Sequence, residues 1–350
     1  MTTDSSSSHD GAVSNVVFTG SSWVEETESE LFIPRLNNAY EQKLYESVLE
    51  TSGVEYWHIK RFAESQSLPH MQAMETAFNE AVKDAGLQRK IKKKNGGRVG
   101  VIYFDEYGPI SFMERQAQIK EMYYSDVFPS FVLQAHNISG YSVRFRGERN
   151  SPMQAINLAK TLIESGELDV VFVGGVNPCY SFFFLTEQLE TQKWEKAQGM
   201  RNSKYSETRH LSEAAGFLVL EHVDHAEERG HAVAQPLLHI SSSRETYSAK
   251  KAASNPLPTV WEKLNNEFDI KRAYMGLYPS RLIERTENML LKDAFGDMDR
   301  INLYEQKGDA NSLNVIRILH DQISAEEPDN KTQLIHSTDR SGFGWNLLTQ

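Results

Sequence analysis

Cysteine is almost missing from this chain: Cys179 is the single thiol in 350 residues. That excludes an internal disulfide framework and fits a reducing compartment, so the chain is expected to be cytoplasmic. Long apolar runs are missing as well, and none approaches the length a helix needs to cross a bilayer, so no membrane partner is expected. The opening stretch MTTDSSSSHDGAVSN lacks both a basic region and an apolar core, which excludes the signal-peptide and transit patterns. Residues 1–14 read as a disordered lead and 15–350 as one domain. Positive charge is in deficit, with 37 Lys and Arg against 48 Asp and Glu and a formal net charge of -11. Most of such a surface repels a polyanion, so no nucleic-acid partner is expected. Gly174 and Gly175 share only composition with a phosphate loop; no GxGxxG or P-loop pattern follows a strand, and nucleotide binding is set aside.

What is present is an alternation of strand-like and helix-like segments. NVVFTGSSWV (15–24) is β-branched and aromatic and ends on a Gly-Ser-Ser turn signal. In 68–87, Met71, Met74, Phe78, Val82 and Ala85 recur at helical spacing and the segment closes on Gly86. VGVIYF (99–104) is a continuous apolar run of the kind found in a buried strand. A helix (151–166) and a strand (169–176) repeat the pattern, and 216–223 with 234–243 read as a hairpin-like pair. The second half echoes the first with a helix (257–268), a strand (271–278), a helix (310–323) and a strand–turn–strand (332–348). Strands alternating with helices predict an α/β fold with helices on both sheet faces, and two such halves suggest an internal duplication.

Three blocks carry a resemblance. GYSVRFRGERNSPMQAINLAKTLIESGELDVVFVGGVNP (140–178), EAAGFLVLEHVDHAEERGH (213–231) and SGFGWN (341–346) resemble, in order, segments of the β-ketoacyl synthase family. The second block is similar to that family's GEGAGVLVLERLEDARRRGH and the third to its FGFGGTN turn. The resemblance implies a thiolase-like, five-layered α/β/α/β/α fold. It also implies where chemistry should sit. Counting back without a gap from SGELDVVFVGGV, the family's nucleophilic cysteine position holds Arg149. A cysteine at a helix N-terminus gains thiolate character from the dipole, whereas a guanidinium cannot be acylated and opposes that dipole. Arg149 therefore needs an anionic neighbour, and Glu148 is the candidate. The positions of the family's two histidines fall at Ala273 and Gln306, with Ile301 at the accompanying lysine. No His or Cys occurs anywhere in 271–312.

The remaining candidates have blander readings. Cys179 follows a strand end and reads as an inert, buried thiol. His222, His225 and His231 lack a full zinc ligand set, so no metal is expected, and no other cofactor either. The basic run Arg89–Arg98 reads as a solvated loop or a docking patch for an acidic carrier protein. YSFFFL (180–185) reads as core or subunit interface. Phe112 and Met113 resemble residues that point toward a partner's acyl tunnel, and Tyr141, Val143 and Phe145 lie on the strand that pairs across the family's dimer axis. The resemblance thus implies a non-catalytic subunit of the chain-length-factor kind. Its partners would be an active β-ketoacyl synthase, in a heterodimer, and transiently an acyl carrier protein. The alternative is an acyltransferase or condensing enzyme using a charged site of Glu148, Arg149, Asp105 and Glu106.

Overall fold

Strand alternation decides which side of each sheet is core. In the strand Val170–Asn177 (β6), Val171 and Val173 face one hydrophobic layer while Val170, Phe172 and Val176 face another. Both faces are covered, which is why the run is continuously apolar rather than alternating with polar residues. The computed structural model describes residues 14–32, 38–52, 57–62, 69–88, 96–105, 133–146, 149–179, 181–200, 209–231, 235–245, 247, 256–296, 298–303, 307–325 and 331–350.

The first half contributes Val16–Glu25 (β1), Val99–Asp105 (β4), Ser142–Arg146 (β5), β6 and Ala214–His222 (β8). The second contributes Gln235–Arg244 (β9), Arg272–Met275 (β10), Asp299–Asn302 (β11), Gln333–Thr338 (β12) and Phe343–Thr349 (β13). The order across the sheet is β11-β10-β12-β13-β9-β1-β8-β6-β4-β5. Within each half the first strand lies beside the fifth, the fifth beside the fourth, and the second and third complete the parallel part. The two halves repeat one topology in the same chain order, so the duplication is visible in the strand order itself. They meet where Val17 and Phe18 pair with Pro236 and Gln235. The hairpin expected from 216–223 and 234–243 does not form: β1 lies between β8 and β9 and pairs with both.

Ser151–Glu164 (α3) and Asn314–Ile323 (α8) form the central layer. α3 buries Met153, Ala155, Ile156, Ala159, Leu162 and Ile163, a helical spacing whose two alanines allow close packing between sheets. Pro152 in its first turn fits because that nitrogen has no intrahelical acceptor to lose. One continuous cluster joins these side chains to Ile102, Phe104, Leu218 and Leu220 on one side and Ile240, Ile335 and Leu347 on the other. Truncating Ile156 to alanine at this centre is expected to cost about 2–5 kcal/mol. Pro69–Asp84 (α2) covers the outer face of the first sheet through Met74, Phe78 and Val82. Leu257–Phe268 (α6) and Arg281–Phe295 (α7) cover the outer face of the second. The result is the five-layered α/β/α/β/α arrangement.

A smaller three-stranded sheet, Glu30–Leu31 (β2), Trp57–Lys60 (β3) and Arg209–Ser212 (β7), sits beside this body. Helices Ala39–Ser52 (α1) and Ser181–Ala197 (α4) pack with it around Trp57, Phe184 and Leu185. A short helix, Val223–Glu228 (α5), follows β8. Among the described residues no helix is long and apolar enough to cross a membrane.

Candidate functional site

Arg149 lies two residues before α3, next to the N-cap residue Asn150, and only 3% of its side chain is exposed. A guanidinium placed there faces both desolvation and the positive end of a helix dipole. Asp309 offsets both. Nη1 of Arg149 donates to Oδ1 of Asp309 at 2.8 Å and Nη2 to Oδ2 at 2.9 Å, a bidentate pair. Glu187 on α4 accepts from Nε and Nη2, each at 3.3 Å, and the carbonyl of Leu277 accepts from Nη1 at 3.3 Å. The guanidinium also lies 5.5 Å from the centre of the Tyr278 ring.

Asp309 mirrors Arg149. It stands two residues before the 3-10 turn Asn311–Leu313 that leads into α8. Arg149, two residues ahead of α3, and Asp309, two residues ahead of the turn that leads into α8, therefore meet as an ion pair between the two halves. Burial would raise the Asp309 carboxyl, but Arg149 and the hydrogen bonds from Asn311 N and Asn314 Nδ2 outweigh it and hold the group below its ordinary range. The backbone is fixed as well: Asp309 N donates to His210 O and Ser212 N donates to Asp309 O, each at 2.9 Å, docking the turn on β7. Gly308 has φ +79°, and a Cβ there would lie 2.9 Å from Cβ of His210, so only glycine fits this entry to Asp309. Asn150 ties α3 to the second half: its Nδ2 donates to Phe343 O at 2.6 Å, and Ser337 Oγ donates to its Oδ1 at 2.9 Å.

A guanidinium is not acylated, and the partners described for Arg149 are two carboxylates and a backbone carbonyl. The Tyr278 phenol is pushed well up, first by burial and then by Glu187, and stays protonated beside Thr191.

A second ionic cluster lies in the outer layer of the second sheet. His336 on β12 is 1% exposed, and its Nε2 lies 3.4 Å from Oε1 of Glu245 and 3.6 Å from Oε1 of Glu287. Its Nδ1 lies 3.0 Å from Oδ1 of Asn346, which also accepts from Trp261 Nε1, so Nδ1 carries a proton. Burial alone would depress the imidazole, but Glu245 and Glu287 push it up to about 9. Burial raises Glu287 to about 7.

Several expected residues fall elsewhere. Ala273 is on β10, sealed in the layer between the second sheet and α6 and α7, because alternation turns it away from the central layer. Ile301 lies on β11, and Asp105 ends β4. Gln306, Phe112, Met113, Glu148 and Glu106 lie outside the described residues, as does most of the 89–98 basic run. Val143 and Phe145 pack partly against the central cluster, while Tyr141 is 40% exposed. Cys179 is half-buried just after β6, and its backbone N–H donates to Glu213. His225 pairs with Glu221 at 2.7 Å beside Arg229, and Nδ1 of His222 accepts from Asp224 N. Among the described residues no cluster suits a metal ion. Phe184 and Leu185 of the aromatic stretch are core. Sequence reasoning missed Asp309, Glu187 and the Glu245–His336–Glu287 cluster. The Gly-Asp dipeptide before a helical run was the one local signal for Asp309.

A model of the β-ketoacyl synthase N-terminal domain matches residues 55–226. No curated protein sequence is significantly similar to the chain. Among solved structures, AntDE:AntF, a type II PKS acyl-carrier protein in complex with its ketosynthase bound to the hexaketide, superimposes with TM-score 0.66 at 17% identity, over 97% of this chain and 99% of that one. A β-ketoacyl synthase from Burkholderia phymatum gives TM-score 0.63 at 14% identity, over 96% of this chain and 99% of its own. The PfaC keto synthase–chain length factor gives TM-score 0.64 at 11% identity, over 100% of this chain and 44% of that one. With the repeated topology and the five layers, these matches show that the chain has the thiolase-type fold of the ketosynthases and that residues 55–226 resemble the β-ketoacyl synthase N-terminal domain.

Proposed function

We propose that this chain is a non-catalytic ketosynthase-like subunit, of the chain-length-factor kind, that pairs with an active ketosynthase. The observation that carries the reading is Arg149, which the resemblance sets at the family's cysteine position and which lies buried just before α3, clamped by Asp309. Losing the nucleophile leaves the packed scaffold and its edge strand intact, so association survives when chemistry does not. In this reading the partner supplies the nucleophile, the substrate arrives on an acyl carrier protein, and no free cofactor takes part. Phe112 and Met113 would shape the tunnel for a polyketide, polyene or fatty-acid-like chain. Two similar folds, a ketosynthase with its carrier protein and a keto synthase–chain length factor, support it by analogy. The reading as an enzyme with a charged site is weakened, because every guanidinium nitrogen of Arg149 already donates to a protein acceptor.

The proposed interface is β5, the edge strand of the first half, which pairs with β4 alone among the described strands. Val101 N donates to Tyr141 O, so in the parallel ladder the odd residues of β5 spend their backbone groups on β4. Ser142 and Arg144 then point theirs outward, toward a strand added from a partner. Co-expression with the cognate ketosynthase is expected to give one-to-one co-elution and full-length product. Ser142→Pro, which removes an outward donor and leaves the half-buried Val143 and Phe145 in place, is expected to abolish co-elution. A stable monomer, with a ketosynthase that makes the same products without it, overturns the reading.

A further inference from the structure

The wall that Leu277 and Tyr278 build over Arg149 belongs to a short strap, residues 276–280, between β10 and α7. It is pinned at four places. Gly276 N donates to Oε2 of Glu287 at 3.0 Å, and Leu277 O accepts from Arg149. Tyr278 Oη lies 3.3 Å from Oγ1 of Thr191, and Ser280 Oγ donates to Glu195 at 2.6 Å. Gly276 has φ +66°, a backbone state that glycine adopts freely, which makes it the natural pivot where the strap leaves β10. The pin at this pivot is Glu287, and Glu287 is the residue that His336 shares with Glu245.

We propose that Glu245, His336 and Glu287 form a proton-sharing lock that sets how tightly the 276–280 strap closes over Arg149. Charge counting gives the reason. With Nδ1 of His336 committed to Asn346, one N–H at Nε2 faces two carboxylates. If both carboxylates are ionised the sealed cluster carries net negative charge; with one further proton it is neutral. Full burial favours the neutral form. Among the described residues neither Glu245 nor Glu287 is ion-paired with a lysine or arginine. Ser243 and Tyr247 donate to Glu245, Tyr247 is itself held protonated by burial, and Glu284 is a further carboxylate near Glu287. Trp261 on α6 contributes only a neutral N–H, to Asn346.

Linkage then fixes the direction. The Gly276 N–H favours the ionised carboxyl, but burial outweighs it, so opening the strap and wetting Glu287 returns the group to its ordinary acidity and the closed state binds the proton more tightly than the open one. Protonation near neutrality closes the strap, and deprotonation loosens it. The burial that raises Glu287 to about 7 places the transition in that range. The lock concerns the strap and not the partner, so it stands or falls separately from the reading of the chain as a non-catalytic subunit.

Hydrogen exchange on the full chain tests it, followed in peptides covering 275–283 and corrected for the pH dependence of chemical exchange. Opening is expected to rise about tenfold or more between about pH 6 and about pH 8.5. Peptides from α3 serve as the reference and should not change. In Glu287→Gln, which keeps an acceptor for Gly276 N and removes the titration, opening should be independent of pH. A wild-type strap without this pH response, or a Gln variant that responds like wild type, overturns the proposal. If the variant does not fold, infrared spectroscopy of the wild type decides instead. The band of a buried protonated carboxyl should vanish over the interval in which the strap opens, and absence of that band contradicts the lock.

Discussion

Arg149 and His336 each face two carboxylates, Asp309 and Glu187 in one case and Glu245 and Glu287 in the other. The outcomes differ because the donors differ. A guanidinium has five N–H groups in a fixed fork and satisfies both partners, with its bidentate bonds to Asp309 at 2.8 and 2.9 Å. An imidazolium that has committed Nδ1 has one N–H left, and both of its carboxylates stand off at 3.4 and 3.6 Å. Glu187 also keeps 14% of its side chain in contact with solvent, while Glu245 and Glu287 are sealed. The first cluster is matched in hydrogen bonds, keeps Glu187 in contact with water and serves as a structural joint. The second has the same excess of one carboxylate but seals it away with too few donors, and becomes sensitive to protons. Arg149 is therefore a structural tie that binds the two halves together.

The largest expected effect comes from breaking the matched joint. Arg149→Ala leaves Asp309 buried without its counter-ion, and so should cost about 3–5 kcal/mol in denaturant unfolding. Replacing the pair together, as Arg149→Met with Asp309→Leu, should recover much of that loss, and the coupling in the double-mutant cycle measures the joint. Little coupling would mean that the two residues are held by their own halves.

Next comes the pH profile of the unmatched cluster. Glu287, at about 7 when folded, and His336, at about 9, both bind protons more tightly folded than unfolded. Their contribution is complete below the unfolded values. It is lost as pH rises, first from about 4.5 to 7 for Glu287 and then from about 6.5 to 9 for His336. Asp309 works the other way, and its contribution disappears as pH falls below the carboxylate range. Thermal melts should therefore show greatest stability on the mildly acidic side and a decline of several kcal/mol toward pH 9. Glu287→Gln should flatten the first part of that decline only. The smallest effect is expected for Tyr278→Phe, which removes the contact with Thr191 and keeps the ring over Arg149. A change of about 1 kcal/mol or less in the same melts would fit.

The two regions also differ in how far they were legible in the sequence. Arg149 was placed from an ungapped run of residues, because the helix after it and the strand beyond have strong periods of their own. Asp309 lies 160 positions away in sequence, and nothing local announces that the two will meet. Gln306, the residue chosen by register, is three positions short of it, and the intervening Gly308 is the one that permits the turn. Ala273, expected at a site position, faces the layer between the second sheet and its outer helices, because strand residues one place apart face opposite layers. The expected hairpin failed for a different reason. β8 and β9 are neighbours in sequence, but β1 enters from the far end of the half and separates them. The core elements were readable from apolar spacing alone, since both sheets are buried on both faces. The Glu245–His336–Glu287 cluster was not, because its members come from three separate elements and carry no shared motif.

The central claim is that the Arg149–Asp309 joint leaves this chain without an acyl acceptor. Intact-mass measurement after incubating the isolated chain with an acyl-acyl carrier protein or an acyl thioester tests that most directly. The account predicts an unchanged mass, both for the wild type and for Cys179→Ala. A stable acyl adduct on the wild type, above all one lost in Cys179→Ala, would contradict it.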